Sequence, residues 1–311
     1  MRQRQKVILD VDTGVDDAVA LLMAAGAPSL SLVGVTVVMG NGPLDLTLAN
    51  TLKTLDAAHL SDVPVYAGAD LPLLAPLSAS LPIQALAFDL PEPTMQPQDI
   101  HAVDFLVDYY LGSEGPKTTL VPLAPLTNVA LALRREPRLA ARIPRLVMMG
   151  GAVGHGNATP SAEFNVWTDP EAAQIVFRSG IPIVMVGLEA TNTARITLHE
   201  VAQARALPSP GAQVAADLLA VDVLWFKEHL NEDAEVFDAC AVAAAMDAKV
   251  LRTEAMHVDV ETRGELTRGR TVCTTRPPEG QSCHVQVGLA TDRPRFLRLL
   301  LDALAHLPLA T

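Results

Sequence analysis

Aromatic side chains are scarce in this chain of 311 residues: Phe, Trp and Tyr make up 4% of it, although hydrophobic residues reach 50%. The core must therefore be built mostly from Ala, Val and Leu, which suits buried parallel strands under Ala/Leu-rich helices. Positive charge is also short. Lys and Arg number 23 against 35 Asp and Glu, a net charge of -12, which argues against the basic face a general nucleic-acid binder needs. Cysteine occurs three times, at Cys240, Cys273 and Cys283, with neither metal-ligand spacing nor a paired count. No disulfide scaffold is expected, and a reducing, cytoplasmic setting is. Long apolar runs are missing too. Thr119 to Leu133 is broken by Pro122, Pro125 and Asn128, and Val214 to Phe226 by Asp217 and Asp222. Neither supplies the ~20 residues of a membrane-spanning helix. The N-terminal segment reaches Asp10 and Asp12 after a short apolar run, which fits no signal-peptide core.

What the chain has instead is alternation. Lys6–Val11 reads as a strand, Gly14 as a tight turn and Asp16–Ala25 as a helix. Strand-like runs recur at Leu30–Val38, Val63–Tyr66, Thr118–Val121, Leu146–Met149 and Ile181–Val186, and helical spacing at Leu44–Ala58, Asp99–Leu111, Asn128–Arg135 and Pro170–Arg178. This pattern predicts a single α/β domain, Rossmann-like, with a mainly parallel central sheet flanked by helices. Leu71–Gln98, rich in proline, reads as a long loop. A long helix is expected at Ala212–Leu230, then a polar turn at Asn231–Asp233. Strands at His257–Glu261, Gly269–Thr274 and His284–Gly288 should precede a last helix, Arg293–His306. Ligands of such sheets sit at the carboxyl ends of the strands.

The most informative segment lies at one of those ends. Asp10-Val11-Asp12-Thr13-Gly14-Val15-Asp16-Asp17 places four carboxylates in eight residues. At ~4 Å, each like-charged pair costs roughly 4 kcal/mol at an effective dielectric of ~20, while a helix N-terminus returns only about 0.3–1 kcal/mol per charge. Helix-start chemistry accounts for Asp16 and Asp17 but not for Asp10 and Asp12. A cation resolves the repulsion, and an all-oxygen donor set selects a hard ion such as Ca²⁺ or Mg²⁺.

This turn and the segments after it resemble the inosine–uridine-preferring nucleoside hydrolase family over most of the chain. The family's Asp-x-Asp-Pro-Gly-x-Asp-Asp signature stands here with Thr13 in place of Pro. TVVMGN ending at Asn41, PLTNVALAL from Pro125, VMMGGAVGHGN ending at Asn157, AEFNVWTDPEAA from Ala162 and FDACAVA around Asp238 follow in order. The resemblance implies a calcium-dependent enzyme that splits ribonucleosides into ribose and free base. It implies Ca²⁺ held by Asp12, Asp17, the Leu123 carbonyl and Asp238, with Asp12 also the base that activates the calcium-bound water. Asp16, Asn157, Glu163 and Asn165 would grip the ribose, and Asp10 and Asn41 would support the metal ligands. It further implies a small-molecule ribonucleoside as the partner, no nucleic acid or membrane, and a homodimer or homotetramer.

One departure bears on specificity. Many relatives carry a His just before the last calcium aspartate, as proton donor to the leaving base; here that position is Phe237. A purine-preferring branch instead stacks an aromatic on the base, so Phe237, with Phe88, Trp225 or Phe226 opposite, leans toward purines. His229 is the alternative acid. Two other readings stay open: a haloacid-dehalogenase-like Mg²⁺-dependent phosphatase, whose strand also ends in Asp-x-Asp, and a non-catalytic ribose or nucleoside binder.

Overall fold

The computed structural model describes residues 4–74 and 87–309. Nine strands form one sheet: β1 (Gln5–Val11), β2 (Leu30–Val37), β3 (Val65–Ala67), β4 (Thr118–Pro122), β5 (Leu146–Met149), β6 (Ile183–Val186), β7 (Leu251–Val260), β8 (Thr271–Thr274) and β9 (Val285–Thr291). Their order is β3-β2-β1-β4-β5-β6-β9-β7-β8. All pairings from β3 across to β9 are parallel, and only β7 runs against its neighbours. The helices are α1 (Val15–Gly26), α2 (Leu44–Ala57), α3 (Ala102–Leu111), α4 (Thr127–Arg135), α5 (Phe164–Thr168), α6 (Pro170–Phe177), α7 (Leu188–Thr191), α8 (Leu198–Arg205), α9 (Pro210–His229), α10 (Phe237–Met246) and α11 (Arg293–Ala305).

The two-residue period of β1 divides the core. Val7, Leu9 and Val11 join the cluster formed with α1, α9, α10 and α11, whereas Ile8 joins the opposite cluster with α3, α4 and α6. A parallel sheet covered on both faces needs this double apolar character. β1 lies between β2 and β4, where the sheet order reverses its direction of growth; such a switch point opens a crevice at the strand ends. Backbone bonds carry the ladder past those ends. The Leu123 N–H donates to the Asp10 carbonyl at 2.8 Å and the Val38 N–H to the Val11 carbonyl at 2.9 Å.

The expected α/β architecture is therefore present, with differences in detail. β7 begins at Leu251, six residues before the expected strand, and its first half pairs with β9 while Arg252 to Ala255 stay exposed. Charged, solvated residues hid that half of the strand from an apolar pattern. α8 was not anticipated although its start is encoded: Thr197 caps it and the Glu200 carboxylate reaches back to the Thr197 N–H at 2.8 Å. Of the long loop expected at Leu71–Gln98, residues 75–86 lie outside the described residues. Among the described residues, no helix is long and apolar enough to cross a membrane.

Candidate active site

Asp10 is the last polar residue on the α4-facing side of β1, and its carboxylate is buried. Oδ1 accepts from Thr36 Oγ1 at 2.6 Å and from Asn128 Nδ2 at 2.8 Å, while buried Oδ2 has no partner among the described residues. Burial pushes this carboxyl up to about 7. Asp12 follows just beyond the strand. Its Oδ2 accepts from the Asn41 N–H at 2.6 Å, and its own N–H donates to Asp17 Oδ1 at 3.1 Å. The backbone before Asn41 passes so close that a Cβ at Gly40 would lie 2.0 Å from Asp12 Oδ2; a side chain there would displace the carboxylate. Asp17 also accepts from the Gly14 N–H at 3.0 Å and Asn41 Nδ2 at 3.1 Å, so it serves the first turn of α1 as well. Thr13, standing where the family has Pro, ties the turn to α2. Its hydroxyl meets that of Thr51 at 2.7 Å, and Asn50 Nδ2 donates to its carbonyl at 3.1 Å.

The second wall comes from the start of α10. Asp238, the second residue of that helix, is buried, and one oxygen each of Asp16, Asp17 and Asp238 lie within 4.8 Å of one another. Burial raises the Asp238 carboxyl well above the usual range, and the charges of Asp16, Asp17 and Asp12 raise it further. Asp12 is raised by burial and then by Asp17; burial likewise carries Asp17 up to about 7, with Asp16 adding to it. A divalent ion relieves all of these at once. Among the described residues the side chains that converge here are oxygen donors, which fits a hard cation. The turn leading into α10 is clamped: Arg195 Nη2 donates to Glu235 Oε1 at 2.9 Å, Nη1 to the Asp233 carbonyl at 3.0 Å, and the same guanidinium pairs with Glu232.

The third wall follows β5. Gly151 takes a φ of +79°, open to glycine at little cost, and its N–H donates to Glu163 Oε2 at 2.8 Å. Glu163 caps α5 as well, accepting from the N–H groups of Asn165 at 2.8 Å and Val166 at 3.1 Å. Asn165 Nδ2 donates to the Leu123 carbonyl at 2.7 Å, so the carbonyl expected as a metal ligand is already oriented, with its second lone pair left over. Asn157 is exposed instead, and its Oδ1 accepts from the Phe164 N–H at 2.9 Å. The structure thus gathers Asp10, Asp12, Asp16, Asp17, Asn41, Leu123, Glu163, Asn165 and Asp238 around one crevice and leaves Asn157 outside the buried group. Asp16, expected to face the sugar, also lies beside Asp17 and Asp238.

The residues expected near the base differ in exposure. Phe237 is half-buried and packs against the α1/α9/α10 cluster. Phe88 is buried, with its N–H on Asn50 Oδ1 at 3.1 Å. Trp225 is exposed and stacks on exposed His229, ring centroids 4.8 Å apart.

Asn128, read from sequence only as part of a motif, is a buried junction. Nδ2 donates to Asp10 Oδ1 and, at 3.1 Å, to the Val37 carbonyl, while Oδ1 accepts from the Ala69 N–H at 2.9 Å. It joins β1, β2 and the segment after β3. Asn128→Ala strips three buried groups of their partner and is expected to lower stability by about 2–4 kcal/mol, read as a lower urea midpoint at unchanged slope; a midpoint like that of the parent would refute the junction.

Comparison with known proteins agrees with this geometry. The family model described as inosine-uridine preferring nucleoside hydrolase matches residues 7–298. Pyrimidine-specific ribonucleoside hydrolase RihA of Shewanella sp. (strain MR-4) is 40% identical over 305 residues, 96% of each chain. RihB of Escherichia coli (strain SE11), also described as pyrimidine-specific, is 37% identical over 303 residues, again 96% of each chain. Among solved structures, a purine-preferring ribonucleoside hydrolase from Gardnerella vaginalis superposes with a TM-score of 0.90 at 32% identity, covering 96% of this chain and 98% of its own. The phosphatase reading falls with these matches, because every strand-end carboxylate it drew on lies inside the matched region. The chain belongs to the inosine–uridine-preferring nucleoside hydrolase family.

Proposed function

We propose that the protein hydrolyses the N-glycosidic bond of ribonucleosides in a calcium-dependent reaction, with Asp12 as the base. The observation that carries the reading is the convergence of Asp16, Asp17 and Asp238 within 4.8 Å beside Asp12, at the switch point of the sheet. Asp12, Asp17, Asp238 and the Leu123 carbonyl are the residues to hold Ca²⁺, with Asp16 adjoining them. Calcium, when bound, supplies a positive charge that anchors the vicinal sugar hydroxyls and makes water more acidic.

The remaining steps belong to the chain. Asp12, steered by the Asn41 N–H, takes a proton from the water that attacks the anomeric carbon. Asp16, Glu163, Asn165 and Asn157 are the groups to accept and donate to the ribose hydroxyls, fixing the sugar so that attack becomes a positioned event. The oxocarbenium-like transition state gains positive charge at the anomeric carbon, and the surrounding carboxylates favour it. The bond electrons leave with the base nitrogen.

For the base, the flat ring of Phe237 at the head of α10 favours the larger face of a purine, although the relatives RihA and RihB are named pyrimidine-specific. A panel of inosine, adenosine, guanosine, uridine and cytidine, read by released reducing sugar, tests both levels of the proposal. Purine kcat/KM about tenfold above pyrimidine is the expected result, a gap of about 1.4 kcal/mol. Pyrimidines ahead would remove Phe237 from base selection, and no sugar release from any riboside would favour a non-catalytic binder.

A further inference from the structure

α10 begins without a side-chain cap, since Val236 before it offers none. How its first turn presents Asp238 is therefore decided upstream, by the segment that joins it to α9. That segment turns at Asn231, whose φ of +55° lies in the left-handed region, and Glu232 and Asp233 after it are exposed. It re-enters the protein at Ala234, which exchanges both backbone hydrogen bonds with Ile196, at 2.9 and 3.2 Å. Arg195 stands beside that bridge, on the connection between α7 and α8. Four acceptors meet the two Nη groups of its guanidinium. Nη1 serves Glu232 and the Asp233 carbonyl, and Nη2 serves Glu235 Oε1 and, at 3.2 Å, Asn192 Oδ1. Glu235 is buried, and its other oxygen accepts from Thr191 Oγ1 at 3.2 Å. Arg195 is itself anchored: its carbonyl accepts from Arg293 Nε of α11 at 2.6 Å, and Arg293 pairs with Glu200 of α8. A chain of contacts thus runs from α11 and α8 through Arg195 and Glu235 to a point just before Asp238. Among the described residues, none of the Arg195 bonds reaches Asp12, Asp16, Asp17 or Asp238.

We propose that Arg195 is a positioning residue for the calcium site: through Glu235 it fixes the head of α10 and so presents the Asp238 carboxylate to the ion, a role that rests on the calcium reading above. Asp238 stands close to Asp16 and Asp17, and like charges at that range push the start of α10 away from α1. The clamp opposes that push. Glu235 cannot drift outward without leaving a buried charge unpaired, so the backbone before Asp238 is held in place before any ion arrives. A ligand fixed in advance spares binding the cost of ordering it.

The test titrates the ion-free, full-length protein with calcium chloride in a calorimeter and follows riboside turnover against calcium concentration. Arg195→Lys keeps the charge but brings one nitrogen in place of a fork. It is expected to raise the calcium Kd about tenfold, about 1.4 kcal/mol, and the calcium needed for half-maximal turnover by the same factor. At saturating calcium, kcat and the nucleoside KM are expected to stay within about threefold of the parent. Glu235→Gln, which keeps the shape and weakens the same contact, is expected to raise Kd about threefold. The double variant should do no worse than Arg195→Lys alone, because both act through one contact. Arg205→Lys, which disturbs the exposed Arg205–Asp217 pair instead, is expected to leave Kd unchanged. A lower melting temperature with calcium Kd unchanged in Arg195→Lys and Glu235→Gln would make Arg195 a stabilising contact only and overturn the proposal. A loss of kcat that saturating calcium does not recover would overturn it too. Should Arg195→Lys fail to fold, Glu235→Gln decides alone. If the parent binds calcium but cleaves no riboside, the hydrolase reading fails and the titration still decides the role of Arg195; a parent that binds no calcium ends both.

Discussion

Asp12→Ala is expected to reduce kcat on every ribonucleoside, and on p-nitrophenyl riboside alike, by at least about 10³-fold. The methyl group removes the proton acceptor beside the attacking water and a proposed calcium ligand together. Both losses precede departure of the base, so the quality of the leaving group gives no rescue. Stability is expected to hold or rise in the ion-free protein. The Asp12 carboxylate is buried and raised by its neighbours, and removing one of several crowded like charges relieves the rest. A steady-state comparison of the two substrates together with a thermal melt decides it. Residual activity above about a tenth of the parent's would take the base role from Asp12 and pass it to a neighbouring carboxylate.

Removal of divalent ions is expected to abolish turnover and to make stability fall as pH rises. Asp10 and Asp17 are both carried up to about 7 by burial, so between about pH 4 and pH 7 the folded protein holds protons that the unfolded chain has lost. Stability conferred by those protons is full in acid and disappears as pH climbs through 7. Each unit of upward shift corresponds to about 1.4 kcal/mol, and in a chain of this size 1 kcal/mol moves the melting temperature by about 2 °C. The chelated protein is therefore expected to melt at least about 5 °C lower at pH 8 than at pH 5.5. Added calcium should raise the melting temperature at pH 8 far more than at pH 5.5, because the ion competes with protons for the same carboxylates. A stabilisation by calcium that is independent of pH, or activity that survives chelation, would contradict a carboxylate-bound ion.

The sheet and its crevice were legible because both rest on local, repeated signals. Apolar runs of four to nine residues marked six strands, and the helical spacing between them required parallel connections. The acids of the Asp10–Asp17 turn were legible because so much like charge at the end of an apolar strand has few physical explanations, whereas Asp238 came only with the family resemblance. What escaped the sequence reading is long-range. Nothing near Asn128 says that its amide bridges Asp10, Val37 and Ala69, contacts 118, 91 and 59 positions away. The early half of β7 was hidden because an exposed edge carries no hydrophobic alternation, whereas the Thr197–Glu200 cap of α8 was there to be read. For Asn157 the local pattern does not discriminate, since a turn residue and a sugar ligand leave the same trace.

Glu163 has a consequence for how a ligand is received. Its carboxylate already fastens the N–H groups of Gly151, Asn165 and Val166, and Asn165 in turn fastens the Leu123 carbonyl. That side of the cleft has surrendered its conformational freedom during folding, so docking need not freeze it again. Free energy released on contact is then available to distort the bound molecule toward its breaking point rather than to organise the receptor.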